Sequence, residues 1–149
     1  RYRSPSRGLG DVYKRQARFL PRTLWADAIC CAAAGAVQLA FAQPLAVVTG
    51  LPQALLLGTG CFLLAWACVA GWGACRMPRS RRLVAIAVFG NFGWALACGV
   101  VLYSGVLEPA PAGWAWVLGQ AAIGVALGDL QCAGLWRSRA SLAGSMTAL

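Results

Sequence analysis

Two stretches of this chain are almost free of charge. From Ala28 to Cys75 there are 48 residues without an Asp, Glu, Lys or Arg, and from Leu83 to Trp136 there are 54 that carry only Glu108 and Asp129. A helix crossing the roughly 30 Å of bilayer hydrocarbon needs about 20 apolar residues at 1.5 Å each. Each stretch is too long for one crossing and suits two, so each is expected to hold a helical hairpin. The whole chain is 60% hydrophobic and 11% charged, whereas a soluble domain carries about a quarter of its residues as charges. A length of 149 residues suits one domain.

Turn signals fall near the middle of each stretch. Gln43-Pro44 through Thr49-Gly50-Leu51-Pro52 interrupts the first, and Glu108-Pro109-Ala110-Pro111-Ala112-Gly113 interrupts the second. The expected fold is an all-α, integral membrane four-helix bundle made of two hairpins. Its spans run over about 24–42, 53–75, 83–104 and 114–136, within a domain of residues 23–137. Basic residues stand before the first span (Arg18, Arg22), between the second and third (Arg76, Arg79, Arg81, Arg82) and after the fourth (Arg137, Arg139), and none lies in either turn. Cytoplasmic loops carry the Arg/Lys excess, so both termini are expected inside, in a multi-pass protein of a bacterial cytoplasmic (inner) membrane. Trp25, Trp72, Trp114, Trp116 and Trp136 sit at span ends, where an indole favours the headgroup level. Trp66 and Trp94 lie inside spans and read as packing residues.

Function classes narrow in the same way. The chain has no histidine, which removes Ser/His/Asp and Cys/His catalysis and zincin-type metal sites. No phosphate-cradling glycine fingerprint occurs, so neither an enzyme nor a bound cofactor is expected. The formal charge of +9 comes from 13 basic against 4 acidic residues, but the arginines punctuate apolar spans instead of lining one exposed face with stacking aromatics. Nucleic acid is therefore not an expected partner, and the bilayer is.

Polar side chains inside the spans are costly in hydrocarbon and are the functional candidates: Asp27, Gln38, Asn91, Gln120, Asp129 and Gln131. At 100° per residue Asp27 shares a face with Cys31, Ala34 and Gln38, Asn91 with Ala87, Ala95 and Cys98, and Asp129 with Ala122, Ala126, Cys132 and Ala133. Counted from the nearest arginine, Asn91 and Asp129 lie about 12 to 14 Å deep and Asp27 about 7 to 8 Å. A contact between Asn91 and Asp129 is the resulting expectation. Gly124 and Gly128 form a GxxxG on another face of span four, beside Gln120 and Gln131. It offers close packing against a neighbouring span or, in a homodimer through span four, a second copy.

Seven cysteines are many for this length, and none lies in a turn between paired spans, so no disulfide across the outer side is indicated. Cys30-Cys31 is a vicinal pair in span one, and in this it resembles the small mercuric-ion transport membrane proteins. The resemblance covers the pair and general size, and would make Cys30 and Cys31 soft-metal ligands. Without a CxxC, a histidine or a second close pair, the plainer reading is a set of small hydrophobes and no metal site.

Residues 22–137 resemble a set of small, uncharacterised four-span inner-membrane proteins of high-GC bacteria. The residues that carry this are Leu24-Trp25-Ala26-Asp27-Ala28, Pro44-Leu45-Ala46, Gly50-Leu51-Pro52, Asn91-x-x-Trp94 and Gly128-Asp129-Leu130-Gln131. The resemblance implies an integral membrane protein with no assigned activity. Residues 1–16 resemble a translated adapter or assembly artefact, and 1–22 is expected to be a non-native or disordered basic segment, with 138–149 a short cytoplasmic tail. Ala40-Phe41-Ala42 before Gln43 has the form of a signal-cleavage site, but Asp27 at the edge of the apolar run and the continuation Leu45–Val48 favour retention. The hairpins have matching lengths between flanking arginines, 54 positions from Arg22 to Arg76 and 55 from Arg82 to Arg137, as a parallel repeat would. The functional expectation is a structural or accessory membrane protein of unknown substrate. The alternative is a small proton-coupled or soft-metal transporter using the intramembrane Asp and Cys residues.

Overall fold

The computed structural model describes residues 6–76 and 81–146. The described residues form five helices: α1 (Ser6–Ala40), α2 (Ala42–Thr49), α3 (Gln53–Arg76), α4 (Arg81–Tyr103) and α5 (Pro111–Met146). Four segments are long and apolar enough to cross a bilayer, Phe19–Ala40, Gln53–Arg76, Arg82–Tyr103 and Pro111–Trp136. The chain is an all-α, multi-pass membrane protein. Its spans present Ile29, Phe89, Leu96 and Trp136 outward, as helices bathed in lipid do. At the end of α3 the Arg76 guanidinium lies 5.2 Å from the centroid of the Trp72 ring, a cation–π pair suited to a span end.

Two boundaries differ from expectation. Residues 6–22 of the segment expected to be non-native or disordered continue α1 through Pro21, and Phe19 and Leu20 pack into the space left by Gly134 of α5. Helix α5 likewise runs past Arg137 to Met146. Arg79 and residues 147–149 of the expected tail lie outside the described residues.

Within each hairpin the helices meet at glycines. A Cβ on Gly35 of α1 would stand 2.8 Å from the Gly60 carbonyl of α3, and one on Gly124 of α5 would stand 3.1 Å from the Asn91 carbonyl of α4. Lipid supplies no hydrophobic drive between spans, so backbone approach at small residues is what holds such pairs. Helix α1 packs chiefly on α3 and α4 chiefly on α5; α1 and α5 join the hairpins, and α3 and α4 meet through side chains with their backbones apart.

The first turn holds a helix where a loop is expected. Pro44 falls in the first turn of α2, where its missing N–H costs no bond. Gly50 ends the helix at φ 69°, with its N–H donating to the Ala46 carbonyl, a left-handed cap that favours glycine. The two turns then clamp together. The Ala110 N–H donates to the Thr49 carbonyl at 2.9 Å, and Gly113 lies directly against that carbonyl. Beneath the clamp sits an apolar cluster of Leu51, Leu56, Cys98, Leu102 and Val117, and at the arginine side a second one of Leu24, Ala74, Val84 and Ala87.

Candidate intramembrane polar site

Asp27 is 0% exposed, Gln131 0%, Gln38 1% and Asn91 5%. These side chains form two layers. Asp27 and Gln38 stand eleven positions apart on α1, and Gln120 and Gln131 eleven apart on α5. Eleven residues are three helical turns, so each pair shares a face, with about 16 Å between layers.

The layer nearer the arginines centres on Asp27. Its Oδ2 accepts from Asn91 Nδ2 at 2.8 Å and from Gln131 Nε2 at 2.9 Å, and its Oδ1 accepts from the Cys31 thiol at 3.4 Å. Asn91 Nδ2 also donates to Gln131 Oε1 at 3.2 Å. One carboxyl thus ties α1, α4 and α5 together, each donor finding an acceptor, which is what a polar group needs where no water competes.

Asn91 therefore meets Asp27 and Gln131, and the expected contact with Asp129 is not made. Asp129 is exposed on the lipid side of α5, as are Ala122, Ala126 and Ala133 on its face. Two positions along a helix turn through about 200°, so burying Gln131 turns Asp129 outward. The depth count misplaced Asp27 because Arg22 lies within α1 and not at its start. Gly124 and Gly128 face α4, against the Asn91 backbone and the Phe92 ring, and so pack inside the bundle. Cys30 and Cys31 are half-buried beside Phe62, Trp66 and Trp94. Among the described residues no three His, Cys, Asp or Glu side chains gather as a metal site would require.

The second layer contains a partner the sequence reading missed, Thr59 of α3. Its hydroxyl stands 2.6 Å from Gln38 Oε1 and 2.7 Å from the Leu55 carbonyl of its own helix. Thr59 is a lone hydroxyl in an apolar run opposite Gln38, which is the signal that could have found it. The other polar atoms of this layer, Gln38 Nε2, Trp116 Nε1 and Gln120 Oε1, are buried without a partner.

Two cavities adjoin the layers. One of about 50 Å³ runs from Cys31 and Asn91 to Gln120. The other, about 90 Å³, is lined by Gln38, Thr59, Trp116 and Gln120 together with apolar side chains. They share Trp94 and Gln120 as walls. Three stacked rings close the seam between α3 and α4, with Phe62 at 6.3 Å from Trp66 and 5.4 Å from Trp94, and the Trp66 ring fills the space over Gly90. Comparison with family models, with curated proteins and with solved structures finds no match for the chain.

Proposed function

We propose that this protein is a structural or accessory membrane protein, without catalytic activity, in which the intramembrane carboxyl is a fastener. The observation that carries the reading is the saturation of Asp27, which is fully buried and accepts from Asn91, Gln131 and Cys31. A proton or cation relay needs a carboxyl that a carried ion can reach, and Asp27 and Asp129 line neither cavity described above. The arginine distribution supports a bacterial cytoplasmic membrane with both termini inside. The outward Asp129 among small residues supports contact with a second copy through span four, on the face opposite the GxxxG.

The competing reading is a proton-coupled or soft-metal transporter. The test is growth and uptake under metal and cationic-drug challenge, comparing wild type with Asp27→Asn and Asp129→Asn. Equal behaviour in every challenge is the expected result. A selective loss of uptake in Asp27→Asn, with protein amount unchanged, would overturn the fastener reading.

A further inference from the structure

The layer near the hairpin turns is unsatisfied where the Asp27 layer is complete. A buried polar atom without a partner costs about 1–3 kcal/mol, and in a membrane no water arrives from the lipid side to relieve it. Here three such atoms belong to residues lining one cavity of about 90 Å³. Gln38 is 1% exposed, its Oε1 lies 2.6 Å from the Thr59 hydroxyl, and its Nε2 has no partner. Trp116 Nε1 can only donate. A half-turn of the Gln120 amide exchanges its oxygen and nitrogen and offers a third donor. The remaining wall is apolar, including Leu51, Leu56, Trp94, Cys98 and Val117.

We infer that this cavity binds a lipid-soluble molecule carrying a carbonyl oxygen on an apolar body. The oxygen accepts from Gln38 Nε2 and Trp116 Nε1, and the body lies along the Trp94 ring toward the second cavity, which shares that wall. Depth agrees with a bilayer source. Thr59 is six residues into α3 and Trp116 five into α5, so the donors lie about 8 to 9 Å below the helix ends, in reach of acyl esters and of hydrophobic carbonyl carriers. Entry is from the side, between α3 and α4, whose backbones stay apart and whose seam over this stretch is closed by side chains, the stacked rings among them. The inference rests on the turn-side layer alone and does not depend on the role given to Asp27.

The test is photolabelling of the full chain in phosphatidylethanolamine and phosphatidylglycerol vesicles with three diazirine probes of similar length: a long-chain ester, an isoprenyl quinone and an alkane without oxygen. Saturable labelling of segments 94–101 and 116–120 by the ester, the quinone or both is expected. Ester alone assigns the source to glycerolipid, quinone alone to a redox carrier, and both together make the carbonyl itself the determinant. Trp116→Phe, which keeps the ring and deletes the N–H, should weaken labelling about five- to tenfold, and Gln38→Leu should do the same. Trp72→Phe, away from the cavity, should leave it unchanged. Should Gln38→Leu fail to fold, Trp116→Phe carries the comparison. Equal labelling by the alkane, no saturable labelling, labelling indifferent to Trp116→Phe, or an experimental map with ordered water alone on the three polar atoms overturns the inference.

Discussion

Replacing Asp27 separates a fastener from a carrier of protons. In Asp27→Ala the donors of Asn91 and Gln131 lose their shared acceptor at 2.8 and 2.9 Å. Asn91 keeps Gln131 Oε1 at 3.2 Å, but Gln131 Nε2 is stranded in the bundle. Interhelical hydrogen bonds in membranes are worth about 0.6 kcal/mol each and up to about 1.7, and a stranded donor costs about 1–3. The loss should be about 2 to 6 kcal/mol. Asp27→Asn is different. The amide oxygen can take the place of Oδ2, and its NH₂ then faces the Cys31 sulfur, a weak acceptor, so the change should be under about 1 kcal/mol. Reversible unfolding in mixed dodecylmaltoside and dodecyl sulfate micelles, followed by circular dichroism, reads both. An alanine variant as stable as wild type, or an asparagine variant as unstable as the alanine one, would refute the reasoning.

Other substitutions probe the packing. Gly124→Ile should unfold or separate the α4–α5 hairpin, since a Cβ there already meets the Asn91 carbonyl, whereas Gly119→Ile should be tolerated, having nothing within 4 Å; thermal melting in detergent gives the contrast. Gly90→Ala places a methyl inside the Trp66 ring and should cost about 1–3 kcal/mol by overpacking, with a change in tryptophan fluorescence as the ring moves. Gly50→Ala combines a left-handed φ of 69° with a backbone N–H 2.9 Å from the new methyl; it should destabilise by at least about 1 kcal/mol, and full stability in the same unfolding assay would contradict the clamp. Asp129→Leu removes a lipid-facing carboxyl and should raise monomer stability while abolishing any dimer band after crosslinking in membranes; an unaltered dimer would remove span four from that contact.

The spans were legible because their cause is local. Two uncharged blocks of known length, each broken by prolines, leave little choice in a bilayer. Partnership inside the bundle was harder to read. Span four has two small-residue faces, one of alanines around Asp129 and one of glycines around Gln131, and periodicity alone does not rank them. Glycine wins because the Asn91 carbonyl and the Phe92 ring stand 3.1 Å from where a Cβ would sit, a difference of one methyl group that hydropathy ignores. Helix α2 was hidden for a related reason. Gln43-Pro44 reads as a breaker, yet a proline in a first turn starts helices as readily as it ends them. Thr59 carries no signal of its own in the sequence beyond a lone hydroxyl in an apolar run, and Trp116 reads as a span-end indole, since only the crossing of α1, α3 and α5 brings them around Gln38.

The hydrogen bond between the Thr49 carbonyl and the Ala110 N–H has a mechanical consequence when taken with Asp27. Both tie one hairpin to the other, one at the turns and one deep among the spans. Two pins define an axis, and about that axis the hairpins retain a single easy motion, like the covers of a book, with α1 and α5 at the spine and α3 and α4 at the free edges. Opening along those edges parts side chains, the ring stack of Phe62 and Trp94 and the α3 and α4 members of the two apolar clusters, and no backbone bond. Spin-label distances between Leu57 and Leu96 should accordingly spread more widely than those between Val37 and Ile123, and the spread should narrow when a molecule occupies the space between the covers.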